Sequence, residues 1–326
     1  MTENPVTLRY LSELTLPELE QAARGVPYQR LPDELFPGIE VWIRRDDLLD
    51  PLISGNKAYK LLFNLLEARE RGAEKIITCG GAWSNHIHAV AAAGRRFGFQ
   101  TVGIIRGERP RHLSATLQDA ERFGMELRFV SRDRYRKRGD KSFLQQVGLE
   151  DKRAVFVPEG GANLAGAQGT KFLGEVIGRT EPVHFDQVWL ACGTGLTLAG
   201  VQAGITEVPV IGVPVLKAER SIIEQAALWL QRSGNSVRLQ SLRNGHDCGG
   251  YARTTTGLMA YMRRFERVAS VPLDPVYTAK LAYGLQCELE AGRVTHGQKI
   301  LLLHSGGLQG RRGLPGWSNN NRSGGA

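Results

Sequence analysis

The sequence predicts an α/β protein whose parallel sheets carry helices on both faces. Three observations predict it. Strand-like and helix-like segments alternate along most of the chain, and glycine-bearing loops sit at the strand ends. The 326 residues, with 42% hydrophobic and 23% charged side chains, also have the composition of a soluble globular protein. That length allows two domains or one large α/β domain.

The elements follow in order. Residues 39–45 read as a short strand. Beyond the loop at 46–55, leucines at 61, 62, 65 and 66 mark an apolar stripe on a helix over Lys57–Arg71. A strand at 75–79 runs into Gly80-Gly81, and Ser84 opens an alanine-rich helix to about Phe97. A strand at 101–105, a helix at 112–123 and strands at 126–130 and 154–158 complete the first half. The second half has a strand at 188–192, a glycine loop and helix over 193–204, and a strand at 208–215. Helices at 219–232, 254–268 and 277–291 then lead to a strand at 299–304. The tail at 315–326, rich in glycine, serine and asparagine, reads as disordered.

Composition narrows the function. The net charge of +9 permits an acidic partner without identifying one. Seven basic residues fall between Arg128 and Lys141, but no aromatic platform accompanies them, so a solvated helix and loop is preferred to a nucleic-acid patch. Cys79, Cys192, Cys248 and Cys287 are too scattered for a disulfide framework or a metal knuckle. His86 and His88, two apart, do not share a helical face, and no metal is expected. Neither a secretory start nor an apolar run of the ~20 residues a membrane helix needs is visible. A reduced, cytoplasmic protein with no membrane or nucleic-acid partner is expected. Glycine is the outlier, with 39 residues in 326 against about 7% in average usage. Such a surplus means tight turns or places where backbone approaches a ligand.

Five loops could carry chemistry, because open parallel sheets bind ligands beyond the carboxyl ends of their strands. They are Ser54–Lys57, Gly80–His86, Cys192–Thr197, Asp274–Thr278 and His304–Gly307. In the third, a strand enters, Gly193 and Gly195 uncover backbone amides and a helix begins, which is how a phosphate is held. Thr194 and Thr197 can add hydroxyls; a plain strand-to-helix turn is the competing reading. It matches neither a P-loop nor G-x-G-x-x-G, although Glu219 beyond the next strand keeps a nicotinamide dinucleotide open. Lys57 is either surface decoration or, if buried at its helix start, an amine of lowered pKa. An amine together with a phosphate cradle is what pyridoxal 5′-phosphate requires.

In the order Gly55-Asn56-Lys57, Thr78 to His86, Cys192 to Thr197, Asp274 to Thr278 and His304 to Gly307, the chain resembles the 1-aminocyclopropane-1-carboxylate deaminase/D-cysteine desulfhydrase family, over about residues 8–312. The resemblance implies a fold like the tryptophan synthase β subunit (fold type II), with two three-layer α/β domains and pyridoxal 5′-phosphate between them. It implies a homodimer acting on a small amino acid. A large cofactor-binding domain would comprise 1–55 plus 165–314, and a small domain 56–164. Lys57 would carry the cofactor as a Schiff base and exchange the α-proton. Asn85 would bond the cofactor's 3′-oxygen, and Ser84 the substrate carboxylate, although both also suit an ordinary helix cap. Gly193, Thr194, Gly195, Leu196 and Thr197 would hold the phosphate. Tyr277 would face the substrate, joined more loosely by Tyr251 after Gly249-Gly250.

Thr278 departs from the deaminase pattern, which has glutamate against the pyridine nitrogen. A threonine hydroxyl cannot supply that charge, so the ring should be a weaker electron sink. β-Elimination is then favoured over opening a cyclopropane, and D-cysteine is the preferred substrate, giving pyruvate, sulfide and ammonia. The alternatives are the cyclopropane deaminase itself, a nicotinamide-dependent oxidoreductase, and a protein that holds pyridoxal phosphate without turnover.

Overall fold

All strand pairs but one run parallel in the computed structural model, which describes residues 10–234 and 242–314. The strands are β1 (Tyr28–Arg30), β2 (Glu40–Arg44), β3 (Lys75–Gly80), β4 (Gln100–Arg106), β5 (Glu126–Val130), β6 (Ala154–Val157), β7 (Gln187–Cys192), β8 (Val210–Pro214) and β9 (Lys299–Leu303). The helices in the first half are α1 (Leu16–Arg24), α2 (Asn56–Glu70), α3 (Asn85–Phe97), α4 (Ala115–Arg122), α5 (Arg132–Arg136) and α6 (Phe143–Gln146). Those in the second half are α7 (Leu164–Thr180), α8 (Leu196–Gly204), α9 (Glu219–Arg232), α10 (Thr256–Ala269) and α11 (Thr278–Glu290).

Two sheets result, ordered β1-β2-β9-β7-β8 and β5-β4-β3-β6. The second takes its strands from residues 75–157 and the first from outside that range. Only β1 is antiparallel, on the edge against β2. β8 is buried at every position and β3 and β9 at all but their first, as a parallel sheet covered on both faces requires. Among the described residues no helix is long and apolar enough to cross a membrane.

Of the elements not anticipated from the sequence, among them β1 and α6, two have clear physical reasons. α1 is a nine-residue helix capped by the Thr15 hydroxyl, too short for a clear period. α7 is 17 residues long, but it contains Gly166, Gly169, Gly174 and Gly178, and each glycine costs about 1 kcal/mol of helix propensity relative to alanine. Packing supplies what propensity lacks. A Cβ on Gly169 would stand 2.1 Å from the Tyr59 carbonyl oxygen in α2, and one on Gly174 would stand 2.5 Å from that of Val201 in α8. From the other side, a Cβ on Gly200 would stand 1.9 Å from Thr170 Oγ1. Part of the glycine surplus therefore serves neither turns nor ligands: it lets α2, α7 and α8 touch backbone to backbone.

The loop leading to α2 is fixed by a buried ion pair. Arg44 and Asp46 approach to 3.2 Å, and Arg44 also donates to the Tyr28 hydroxyl and the Ala23 carbonyl. The Tyr59 hydroxyl donates to Asp46 at 2.6 Å, and the Asp46 carbonyl accepts from Gly55 N at 2.9 Å. The start of α2 is thereby tied to the end of β2.

The basic run behaves as a solvated face. Ser131 caps α5, Tyr135 is buried, and Arg128, Arg136 and Arg138 pair with Glu126, Asp133 and Glu159. The tail at 315–326, expected to be disordered, lies outside the described residues.

Candidate active site

The loops after β2 and β9 meet at contact distance, which only glycine allows. Gly55 has φ +64°, and a Cβ there would lie 2.0 Å from the Ser305 carbonyl oxygen. The Asn56-Lys57 start of α2 is thereby brought to the end of β9.

Lys57 Nζ donates to Asn56 Oδ1 at 3.2 Å and stands 6.0 Å from the centre of the Tyr277 ring. Asn56 Nδ2 in turn donates to Thr197 Oγ1 at 3.1 Å, so one side chain links the amine to the first turn of α8. Burial pushes the Lys57 amine down to about 8, against the opposing charge of Asp274. The side chain of Lys57 keeps some accessible surface, but its amine is desolvated by burial. Tyr251 and Tyr277 meet edge to face with ring centres 6.4 Å apart. Gly193 faces the same ring: a Cβ there would stand 3.6 Å from Tyr277 Cε1.

Lys60, one turn beyond Lys57, was not singled out from the sequence. It is 3% exposed, and burial, then the charge of Lys57, hold its pKa well below the ordinary value. The spacing of three was the signal, since residues three apart share a helical face. His86 completes the group. Both its ring nitrogens are buried without a hydrogen bond, and burial, then Lys57 and Lys60, push it down to about 3, so the imidazole is neutral.

Asp274 is the buried carboxylate of the site. It accepts from Tyr277 N at 2.5 Å and Thr278 N at 3.3 Å, and burial raises it to about 6. The Thr278 hydroxyl accepts from Asp274 N at 2.7 Å and donates to the Asp274 carbonyl at 3.3 Å, so the turn itself engages it. His304 sits behind this turn, with Nε2 2.7 Å from the Pro272 carbonyl and Nδ1 accepting from Gly306 N at 3.2 Å. Lys280, another residue the sequence reading passed over, donates at 2.7 Å to both the Asp247 and the Gly250 carbonyls. It holds the loop that carries Tyr251.

Ser84 Oγ accepts from Ile87 N at 3.3 Å, which makes it the cap of α3. Asn85 Oδ1 accepts from Gln309 Nε2 at 2.9 Å, a pairing across 224 residues that no local pattern could announce. Gly193 and Thr194 line a cavity of about 530 Å³ with Pro158, Glu159, Ala162 and Arg138. His246 bonds Glu288 at 2.8 Å. Among the described residues no group of His, Cys, Asp or Glu could hold a metal.

The sequence profile described as "Pyridoxal-phosphate dependent enzyme" matches residues 19–306. The chain belongs to that family. Among its relatives is a putative 1-aminocyclopropane-1-carboxylate deaminase of Pyrococcus furiosus, 30% identical over 312 residues and covering 90% of this chain and 93% of the relative. A bifunctional mitochondrial D-cysteine desulfhydrase/1-aminocyclopropane-1-carboxylate deaminase of Arabidopsis thaliana is 29% identical, over 84% of this chain and 73% of its own. A D-cysteine desulfhydrase of Klebsiella pneumoniae is 27% identical over 91% and 96%. The crystal structure of an ACC deaminase homologue superposes with TM-score 0.76 at 26% identity, over 91% of this chain and 96% of that one. O-ureido-L-serine synthase shares the fold at TM-score 0.64 and 14% identity, over 94% and 96%. This pyridoxal-phosphate enzyme therefore has the type II fold that the sequence motifs implied, and its cofactor is pyridoxal 5′-phosphate. The nicotinamide reading of the 192–200 loop loses its basis.

The site of this pyridoxal-phosphate enzyme fits the group on its own chemistry. It offers a desolvated amine, a second buried amine and uncovered amides where α8 begins, with Gly195 at φ +77°.

Proposed function

We propose that the protein is a lyase that removes the α-proton and the β-substituent of a small amino acid, with D-cysteine as substrate and pyruvate, sulfide and ammonia as products. The desolvated amine of Lys57, bonded through Asn56 to the first turn of α8, carries this reading. The cofactor supplies the electron sink for carbanion chemistry. Lys57 would hold it covalently, and its free amine would take the α-proton at Nζ. Its lowered pKa keeps part of the amine neutral near pH 8, as a base requires. Gly193, Thr194, Gly195, Leu196 and Thr197 present amides and hydroxyls to the phosphate, and Lys60 adds a charge. Asn85 donates to the 3′-oxygen. Ser84 meets the substrate carboxylate at the start of α3, and Tyr277 and Tyr251 form the opposite wall. The domains are 1–55 plus 165–314 and 56–164, and the assembly is a cytoplasmic homodimer.

Relatives named for D-cysteine and for the cyclopropane amino acid both match at 27–30% identity, so the choice rests on Thr278. A hydroxyl engaged by the Asp274 backbone brings no charge to the ring nitrogen. A panel of D- and L-amino acids with the purified yellow protein tests the proposal. D-cysteine should release pyruvate and sulfide, and the cyclopropane substrate should give 2-oxobutyrate at a small fraction of that rate. Brisk 2-oxobutyrate formation would sink the substrate choice. A yellow, active Lys57→Ala variant would end the mechanism.

A further inference from the structure

Asn85 has one amide with two different ends, an acceptor oxygen and a donor nitrogen. Gln309 donates its Nε2 to Asn85 Oδ1 at 2.9 Å, which leaves Asn85 Nδ2 turned the other way. That nitrogen faces Gly307, where a Cβ would stand 2.5 Å from it, and Asp274 Oδ2 lies 3.3 Å from the same point.

Gln309 is itself held from two sides. It belongs to a 3-10 turn, Leu308–Gly313, whose Arg311 pairs with Glu266 on α10 at 2.9 Å and whose Arg312 pairs with Asp119 on α4. Gly313 packs on the Trp83 ring, where a Cβ would stand 3.0 Å from the nearest atoms. α10 belongs with residues of the first sheet and α4 with those of the second, so the turn is anchored to elements of both.

We propose that Gln309 is a positioning residue: it fixes the Asn85 amide so that Nδ2, rather than the oxygen, is presented to the 3′-oxygen of the cofactor. With the amide inverted, a lone pair would oppose an anionic oxygen. The inference rests on the role proposed above for Asn85. The Leu308–Gly313 turn contributes by fixing where Gln309 stands.

The test is a pH titration of the visible band of the holoenzyme in wild type, Asn85→Ala, Gln309→Ala, Gln309→Glu and the Asn85→Ala/Gln309→Ala double variant. A donor to the 3′-oxygen stabilises its anion and lowers the pH at which the neighbouring Schiff-base nitrogen loses its proton. Asn85→Ala and Gln309→Ala should each raise that midpoint by about half a pH unit or more. Gln309→Glu, which can only accept, should draw Nδ2 to itself and raise the midpoint at least as far as Gln309→Ala. The double variant should match Asn85→Ala alone. Gln309 variants that titrate like wild type while Asn85→Ala shifts would overturn the positioning role. An unshifted Asn85→Ala would overturn the role of Asn85, and this inference with it. Gln309→Ala and Gln309→Glu remove no buried apolar group, and far-ultraviolet circular dichroism checks that each is folded.

Discussion

Lys60 lies one helical turn beyond Lys57, and both amines on this face of α2 have pKa values lowered first by burial. Two desolvated amines side by side resist charging until an anion joins them.

The first expectation concerns the cofactor-free protein. The folded pKa of Lys57 is depressed from 10.5 to about 8, so below pH 8 the folded chain bears the full cost of a desolvated charge. Between pH 8 and 10.5 the unfolded chain binds more protons than the folded one, and stability rises with pH. Lys57→Met should therefore stabilise the apoprotein at pH 7, on the order of 1–2 kcal/mol once water in the cleft is allowed for. Part of that gain is relief of Lys60. Urea unfolding at several pH values should show the gap closing by about pH 10.5; a gap independent of pH would contradict the desolvation argument.

Lys60 should matter to holding the cofactor rather than to proton transfer. A lost charge-assisted bond of about 1.5–3 kcal/mol predicts that Lys60→Gln weakens cofactor binding roughly 10- to 100-fold. Titrating the apoprotein with pyridoxal phosphate measures this. Turnover at saturating cofactor should change much less.

Thr278→Glu would set a carboxylate beside Asp274, whose own carboxyl burial already raises to about 6. Two buried acids this close raise each other's pKa, so the variant should be less stable, and it also loses the 2.7 Å bond from Asp274 N. If the ring nitrogen sees the new charge, turnover of the cyclopropane substrate relative to D-cysteine should rise at least ~10-fold. An unchanged ratio and an unchanged visible spectrum would place Thr278 away from the ring.

The α7 glycines supply a paired test of packing. Gly169→Ala drives a Cβ to within 2.1 Å of a backbone oxygen and should cost about 1–3 kcal/mol or more. Gly178→Ala, on the same helix with nothing within 4 Å, should instead stabilise by about 0.5–1 kcal/mol. Melting temperatures that moved in the same direction for both would refute the close-contact account.

The alternation of apolar runs and glycine loops announced the sheets because buried parallel strands are apolar on both faces and need no partner information to be seen. Lys57, Gly193 and Thr197 stood out for a similar reason, lying where a strand-end loop opens a helix, whereas Tyr277 lies in the connection between α10 and α11. What could not be read was contact between distant segments. Asn85 with Gln309, Gly169 with Tyr59, and Lys280 with the carbonyls of Asp247 and Gly250 are all set by tertiary approach. α7 was hidden by the same cause, since its glycines read as loop until the helices they touch are in place. Lys60 was legible in principle, its distance from Lys57 being one turn.

The backbone contacts among α2, α7 and α8 give the protein a division of labour. The helix bearing the amine and the helix whose first turn offers the amides are joined through a third, with no flexible side chains between them. Their separation is therefore set like the jaws of a fixed gauge. Ser84 stands outside that gauge, at the start of α3 behind β3 of the other sheet. Changes in which amino acid is accepted can accumulate around Ser84 while the amine and the amides keep their spacing.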